Sequence, residues 1–409
     1  MTKLGLVGFS KNETFVVQHL LSPYKIELVE GEDMVDMMIY KKGSSELSKN
    51  SLQTRMESIK SMKPDDNQTS KHFGRAVEID PDLLGECSKI IEKVMNPHIA
   101  LRYSIATRLP FAYNLFPSRI RNRFLRKHTV SADLSQHLAV QMARKTLVDE
   151  LHEKGLQLLR RKPASMLITH DVDTEQGLQR APALKSVEDD LGIQSIWFLP
   201  SNEYSIPKRI AGELKKRSMI GSHDFKHDGK LIHIKQPSDA ARRLMESKVK
   251  LEEIFEQPVV YFRSPLLQFS RKITSALKQA GYTHDFSVPC WEPIYPSTMN
   301  GFGIESAQSF EIDGITETPV TLFQDHQVLY LLGMSVDDAI DLWLEQAKLI
   351  RSLDGDIVLL IHPDYEFSRD LAAYRRLLVS LSEAGANYSL LPRGEMVDES
   401  ETSESVMSG

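Results

Sequence analysis

The sequence predicts an α/β protein, on three observations. From Ser165 onward, short apolar runs with strand character alternate with stretches of helical period. Ionisable side chains collect where those runs end, and the chain opens with a strand–helix–strand pattern of its own. Strands alternating with helices imply parallel strands joined by crossover helices, in a barrel or a doubly wound sheet.

Taken in order, Leu4–Phe9 reads as a short buried strand, Thr14–Leu21 as a helix and Lys25–Glu30 as a second strand. Ser44–Ser70 is polar and poor in large apolar residues, as in a surface helix with loops or a partly disordered stretch. In Leu101–Lys127, aromatic residues alternate with arginines. That composition reads first as a solvated basic face with its stems packed on the protein, and second as a contact for anionic lipid or a phosphorylated substrate. Asp133–Arg161 reads as one long helix with Leu134, Leu138, Met142, Leu147, Leu151 and Leu158 apolar, closed by Arg160–Pro163. Strands are then expected at Met166–Thr169, Ser195–Leu199, Val259–Phe262, Thr283–Val288, Asp356–Ile361 and Tyr388–Leu391. Helices are expected at Pro207–Arg217, Ser238–Phe255, Ser270–Ala280, Val336–Leu353 and Arg369–Ala384. The expected division is an N-terminal α/β and helical region over residues 1–160, a main domain over 161–392 and an acidic, Ser-rich disordered tail over 393–409.

Composition narrows the function classes. With 41% hydrophobic residues the chain of 409 has ample material for a core, and a net charge of −6 gives no global reason to expect nucleic-acid binding. Cys87 and Cys290 make neither a disulfide framework nor a four-thiolate metal site, so a reduced, cytoplasmic setting is expected. The apolar run Met1–Phe9 is short for a secretory signal, and no stretch approaches the length of a membrane span.

The chemistry sits at the strand ends. Met166–Thr169 runs into His170, Asp171, Val172 and Asp173, and Ile220–Ser222 runs into His223 and His227. Val259–Phe262 runs into Arg263, Thr283–His284 into Asp285, and Val358–Ile361 into His362. In parallel α/β domains the carboxyl ends of strands converge on one face, where ligands bind. His223 and His227 are the chain's only histidines four apart, which on a helical turn puts both rings on one side. With a carboxylate from elsewhere they make a two-His, one-carboxylate site with open positions. The plain alternative is a pair of surface histidines beside Asp224 and Asp228. Asp171 and Asp173 at a frayed strand end can approach one pocket in different roles, or form an Asx turn. Arg263 suits bidentate capture of a carboxylate or an ordinary strand-end ion pair. His362 suits a general acid or a satisfied buried histidine.

The series Asp-x-Asp, His-x-x-x-His, Arg-x-Pro, Asp-bearing strand end and apolar-x-His-Pro resembles the NodB-homology polysaccharide deacetylases (carbohydrate esterase family four), over about residues 163–392. The resemblance implies a distorted (β/α) barrel and a divalent metal, zinc first with cobalt or nickel also suited, acting on an N-acetylated sugar or glycan. By position it implies Asp171 as base, Asp173, His223 and His227 as metal ligands, and Arg263 set against the base. It further implies the Leu266 N–H at the oxyanion, Asp285 as an orienting residue, Trp291 at the substrate groove and His362 as acid. Asp224 and Leu266 replace a usual Ser or Thr and a frequent Tyr. Pro319–His326 (PVTLFQDH) is similar to a subgroup and receives no chemical role.

The expected activity is removal of an N-acetyl group from an amino sugar. The alternatives are hydrolysis of a non-sugar amide or formyl group at the same site, and a glycan-binding barrel without activity.

Overall fold

A computed structural model describes residues 2–30, 35–41, 76–97, 133–160, 164–293 and 303–384. The expectations for Ser44–Ser70, Leu101–Lys127, Tyr388–Leu391 and the acidic tail lie outside the described residues.

The N-terminal region is a parallel sheet of four strands in the order β2-β1-β3-β4, formed by β1 (Thr2–Val7), β2 (Ile26–Glu30), β3 (Met37–Lys41) and β4 (Ala76–Ile79). Its helix α1 (Lys11–Leu21) starts at a capping box in which Ser10 and Glu13 satisfy each other's backbone N–H groups. Helix α2 (Pro81–Met95) starts at Asp80, with proline in its first turn. The long helix expected over Asp133–Arg161 is shorter: a 3-10 turn at Leu134–Gln136 precedes α3 (Ala139–Glu153). The break has a local cause. Asp133 caps the short turn through Ser135 N at 3.0 Å, and Glu305 from the other region accepts the Ala139 N–H at 3.1 Å, so a new helix N-terminus forms there. One apolar cluster joins Leu20, Leu84 and Val148 to Phe269, Val288, Ile304 and Phe310, so the core runs between the two regions.

The main sheet has eight strands in the order β10-β11-β9-β8-β7-β6-β5-β12. They are β5 (Met166–Asp171), β6 (Ser195–Leu199), β7 (Met219–Ser222), β8 (Tyr261–Phe262), β9 (His284–Asp285), β10 (Phe310–Ile312), β11 (Ile315–Glu317) and β12 (Ile357–Ile361). All neighbours are parallel except the β10–β11 hairpin. The strand expected over Thr283–Val288 is only two residues long as β9. An irregular segment curls the sheet round to β12. Val320 N–H donates to Val288 O at 2.8 Å, while Thr321 and Leu322 N–H reach Val358 O at 3.3 and 3.2 Å. The architecture is a mixed α/β, distorted barrel, as expected.

Helices α4 (Glu175–Asp190), α5 (Lys208–Leu214), α6 (Pro237–Phe255), α7 (Arg271–Gln279), α8 (Val336–Ser352) and α9 (Leu371–Glu383) supply the outer layer. Strand period then sorts the side chains. Leu167, Ile196, Phe198, Phe286 and Val358 form a separate cluster inside the curl. Met166, Ile168, Trp197, Leu199, Ile357, Leu359 and Ile361 pack with the helices. Gly221 is required by this crowding, because a Cβ there would lie 2.4 Å from the Phe198 ring.

Candidate metal centre at the barrel mouth

The same alternation delivers the site. Asp171 shares its face of β5 with Leu167 and Thr169, and His362 continues the face of Val358 and Leu360 on β12. Both arrive at the mouth from hydrogen-bonded neighbours, since Ile361 pairs with His170. Asp173 lies just past β5, before Thr174, whose side chain accepts the Gly177 N–H at 3.1 Å and starts α4. His223 follows β7 with its N–H on Leu199 O at 2.9 Å.

His223 and His227 do not share a helical turn. They lie on a loop after β7 in which Asp224 takes a left-handed conformation (φ 66°). The reading of surface histidines fails for His223, which is 1% exposed, while His227 is only partly buried.

Three groups converge. Asp173 Oδ1 lies 3.3 Å from His223 Nε2 and 3.5 Å from His227 Nε2. His223 Nδ1 is 2.8 Å from the Arg263 carbonyl, which turns Nε2 toward the carboxylate. Asp173 Oδ1 is buried and accepts no hydrogen bond. Burial raises the Asp173 pKa, but His227, His223 and His362 outweigh it and hold the carboxyl well below its usual range. Burial disfavours a charged His223, yet Asp171 and Asp173 raise its pKa. A carboxylate whose buried, unmet oxygen lies between two imidazole nitrogens fits a divalent cation bound through N, N and O.

Asp171 sits beside this group, 3.8 Å from His223 Nε2. Arg263 Nη1 donates to Asp171 Oδ1 at 2.9 Å and to Thr169 Oγ1 at 3.0 Å, and Nε donates to Phe286 O at 3.0 Å. The guanidinium is fully buried, 4.5 Å above the Phe198 ring. On the other side His362 Nε2 lies 4.0 Å from Asp173 Oδ2. Burial lowers the His362 pKa, but Asp325 and then Asp173 reverse this and push it up to about 10.

Asp325 is the residue that sequence reasoning missed. It lies in Pro319–His326, quoted above without a role, and it holds His362 twice: Oδ1 is 2.6 Å from Nδ1, and Oδ2 accepts the His362 N–H at 2.8 Å. Asp325, His326 and His362 are also close enough to suggest a second cation. They do not fit one, because Asp325 Oδ1 also accepts the His326 N–H at 2.8 Å, leaving both oxygens engaged by donors. Burial and the His362 charge push His326 down to about 4.

The three remaining expected residues are placed differently. Leu266 is 38% exposed beside Arg263, Ser264 and Pro265, and both it (φ 60°) and Leu267 (φ 48°) are left-handed, a strained turn of the kind found at functional sites. Asp285 is fully buried in β9, accepts Ser287 Oγ and lies beside Glu317, with the Arg263 charge acting on both. Burial pushes Asp285 up to about 6, while burial and the Asp285 charge raise Glu317. Trp291 is not in a groove: it is 5% exposed and stacks on His137 with ring centroids 3.4 Å apart.

Fold and site together define an α/β barrel with a His₂–Asp cluster at the carboxyl ends of its strands. No family model matches the sequence, and no curated protein matches it. Solved structures do match. A candidate polysaccharide deacetylase from Mycobacterium smegmatis is 19% identical over 57% of this chain and 94% of its own, with a TM-score of 0.43. A family 4 carbohydrate esterase from Streptomyces lividans is 13% identical over 56% of this chain and 93% of its own, with a TM-score of 0.38. A family 4 pseudoenzyme from Bacillus anthracis is also 13% identical, over 56% of this chain and 64% of its own, with a TM-score of 0.38. At these identities and scores the likeness bears on neither substrate nor activity.

Proposed function

We propose that the protein is a metal-dependent hydrolase that removes the N-acetyl group from an amino sugar. The observation that carries the reading is the partly buried Asp173 carboxylate, whose buried Oδ1 lacks a donor and faces His223 Nε2 and His227 Nε2. Asp173, His223 and His227 would hold the cation, with zinc, cobalt and nickel all compatible with two imidazoles and a carboxylate. When bound, the cation supplies Lewis acidity and lowers the pKa of water toward neutrality.

The chain's own residues supply proton transfer. Asp171 takes the proton of the attacking water as general base. Arg263 fixes one Asp171 oxygen at 2.9 Å, leaving the other on the His223 side. His362 gives a proton to the departing amine from Nε2, because Nδ1 is held by Asp325. The turn at Leu266 offers backbone N–H to the oxygen that becomes negative. The sugar as substrate rests on the motif resemblance described above, and a cytoplasmic setting on two buried, unpaired cysteines. No described helix is long and apolar enough to cross a membrane.

The test is a screen of purified, metal-loaded protein for acyl release from N-acetylated and N-formylated amino sugars and from simple amides. Acetate from an amino sugar is the expected product. Formate, or cleavage of simple amides alone, assigns the same site to another substrate. Glycan binding with no release by the metal-loaded protein contradicts the hydrolase.

A further inference from the structure

The loop that carries His223 and His227 is folded around a single guanidinium group. Arg243 projects from α6, and its Nε and Nη2 donate to Asp224 Oδ1 and Oδ2 at 2.9 and 2.8 Å, a bidentate pair. Nη2 also reaches Asp228 Oδ1 at 2.8 Å and the Lys226 carbonyl at 3.3 Å, and Nη1 reaches Asp228 Oδ2 at 3.4 Å. The acceptors therefore flank both histidines in sequence: Asp224 follows His223, and Lys226 and Asp228 bracket His227. The same helix holds the loop a second time, through Ser247 Oγ on the Asp224 carbonyl at 2.9 Å. Asp224 is fully buried in its left-handed conformation. Aspartate enters that region more readily than most side chains, and here both its carboxylate and its carbonyl are held from α6.

We infer that Arg243 is a positioning residue of the metal centre: it fixes the backbone of the loop, and so the spacing of His223 and His227, before any cation arrives. The inference rests on the reading of those two histidines as ligands. Arg243 makes no contact with either ring and acts through the loop backbone. A planar fork can meet two carboxylates and a carbonyl at once, whereas an ammonium is a point charge without that geometry. A loop held in its ligating shape has less conformational freedom to lose on binding. Partners that orient ligands from outside the coordination shell typically change metal affinity by about 10–100-fold.

Removing Arg243 alone would strand the buried Asp224 charge, so two variants are needed: Arg243→Lys, and the pair Asp224→Ser/Arg243→Met, which deletes both charges. Full-length, metal-stripped proteins are titrated with Co²⁺ against a competing chelator, and metal-free thermal unfolding is followed in parallel. The expected result is cobalt binding weakened about 10–100-fold in both variants, with the metal-free double variant still folded. Wild-type affinity in a folded double variant overturns the inference. Unfolding of that metal-free variant at room temperature also overturns it, because the pair then holds the fold and not the ligands. A wild-type protein that takes up no cobalt refutes the metal reading itself, an outcome distinct from the other two.

Discussion

His170 and Asp171 are adjacent in sequence and face opposite sides of β5. His170 turns to the helix layer, where its ring lies 3.9 Å from Trp197, Nδ1 is 3.1 Å from Ile361 O and Nε2 is 2.6 Å from Glu188 Oε1. Glu188 also accepts Tyr374 OH at 2.6 Å and Ser195 Oγ at 2.5 Å. Both His170 nitrogens and both Glu188 oxygens have a partner there. Across the strand, the mouth holds the same residue types with Asp173 and His227 only partly buried, and Asp173 Oδ1 is left without a donor. Histidine–carboxylate content therefore does not separate structural from ligating groups; what marks Asp173 is an oxygen without a donor that also faces two imidazole nitrogens. A closed network stabilises the fold, and an open one has affinity to spare for a cation.

The contrast breaks most visibly at Asp171. Asp171→Asn keeps the size of the side chain and removes the base, so turnover should fall about 10²–10⁴-fold with bound metal retained. Acyl release and elemental analysis on one preparation check this. Loss of metal from the folded variant would mean that the two aspartates have exchanged roles.

Asp325→Asn sharpens the view from the acid side. With its carboxylate gone, His362 loses the anion on Nδ1, and kcat should fall about 10–100-fold with KM and metal content unchanged. Steady-state kinetics over a substrate series separates this from a loss of binding.

Glu188→Gln probes the closed network. It should leave metal content and kcat near wild type and cost about 1–3 kcal/mol of stability, read by denaturant unfolding. The pH sign follows from the carboxyl. Burial raises its pKa, but His170, Ser195 and Tyr374 hold it below the ordinary 4.5. Its contribution is therefore complete above about 4.5 and lost as pH falls through the folded value. The difference in stability between wild type and Glu188→Gln should shrink on acidification through that window.

These residues were unequally legible in the sequence. Asp171, Asp173, His223, Arg263 and His362 were visible because each follows an apolar run whose carboxyl end must reach the same mouth. The helical turn drawn through His223 and His227 was wrong because spacing alone cannot reveal the left-handed Asp224. Asp325 was hidden on an irregular stretch with no period to orient it. Arg243 looks like any cation on an amphipathic helix until the loop is seen wrapped around it. The expected role of Trp291 failed for another reason: His137 and the N-terminal region cover that indole, and the motif resemblance did not extend to them.

The most direct test is the metal stoichiometry of wild type, Asp173→Asn and Glu188→Gln, each purified, stripped and reloaded with Zn²⁺. Wild type and Glu188→Gln should each bind close to one equivalent, and folded Asp173→Asn almost none. Equal loading of Asp173→Asn and wild type, or none in any of the three, would rule out a cation held by Asp173, His223 and His227.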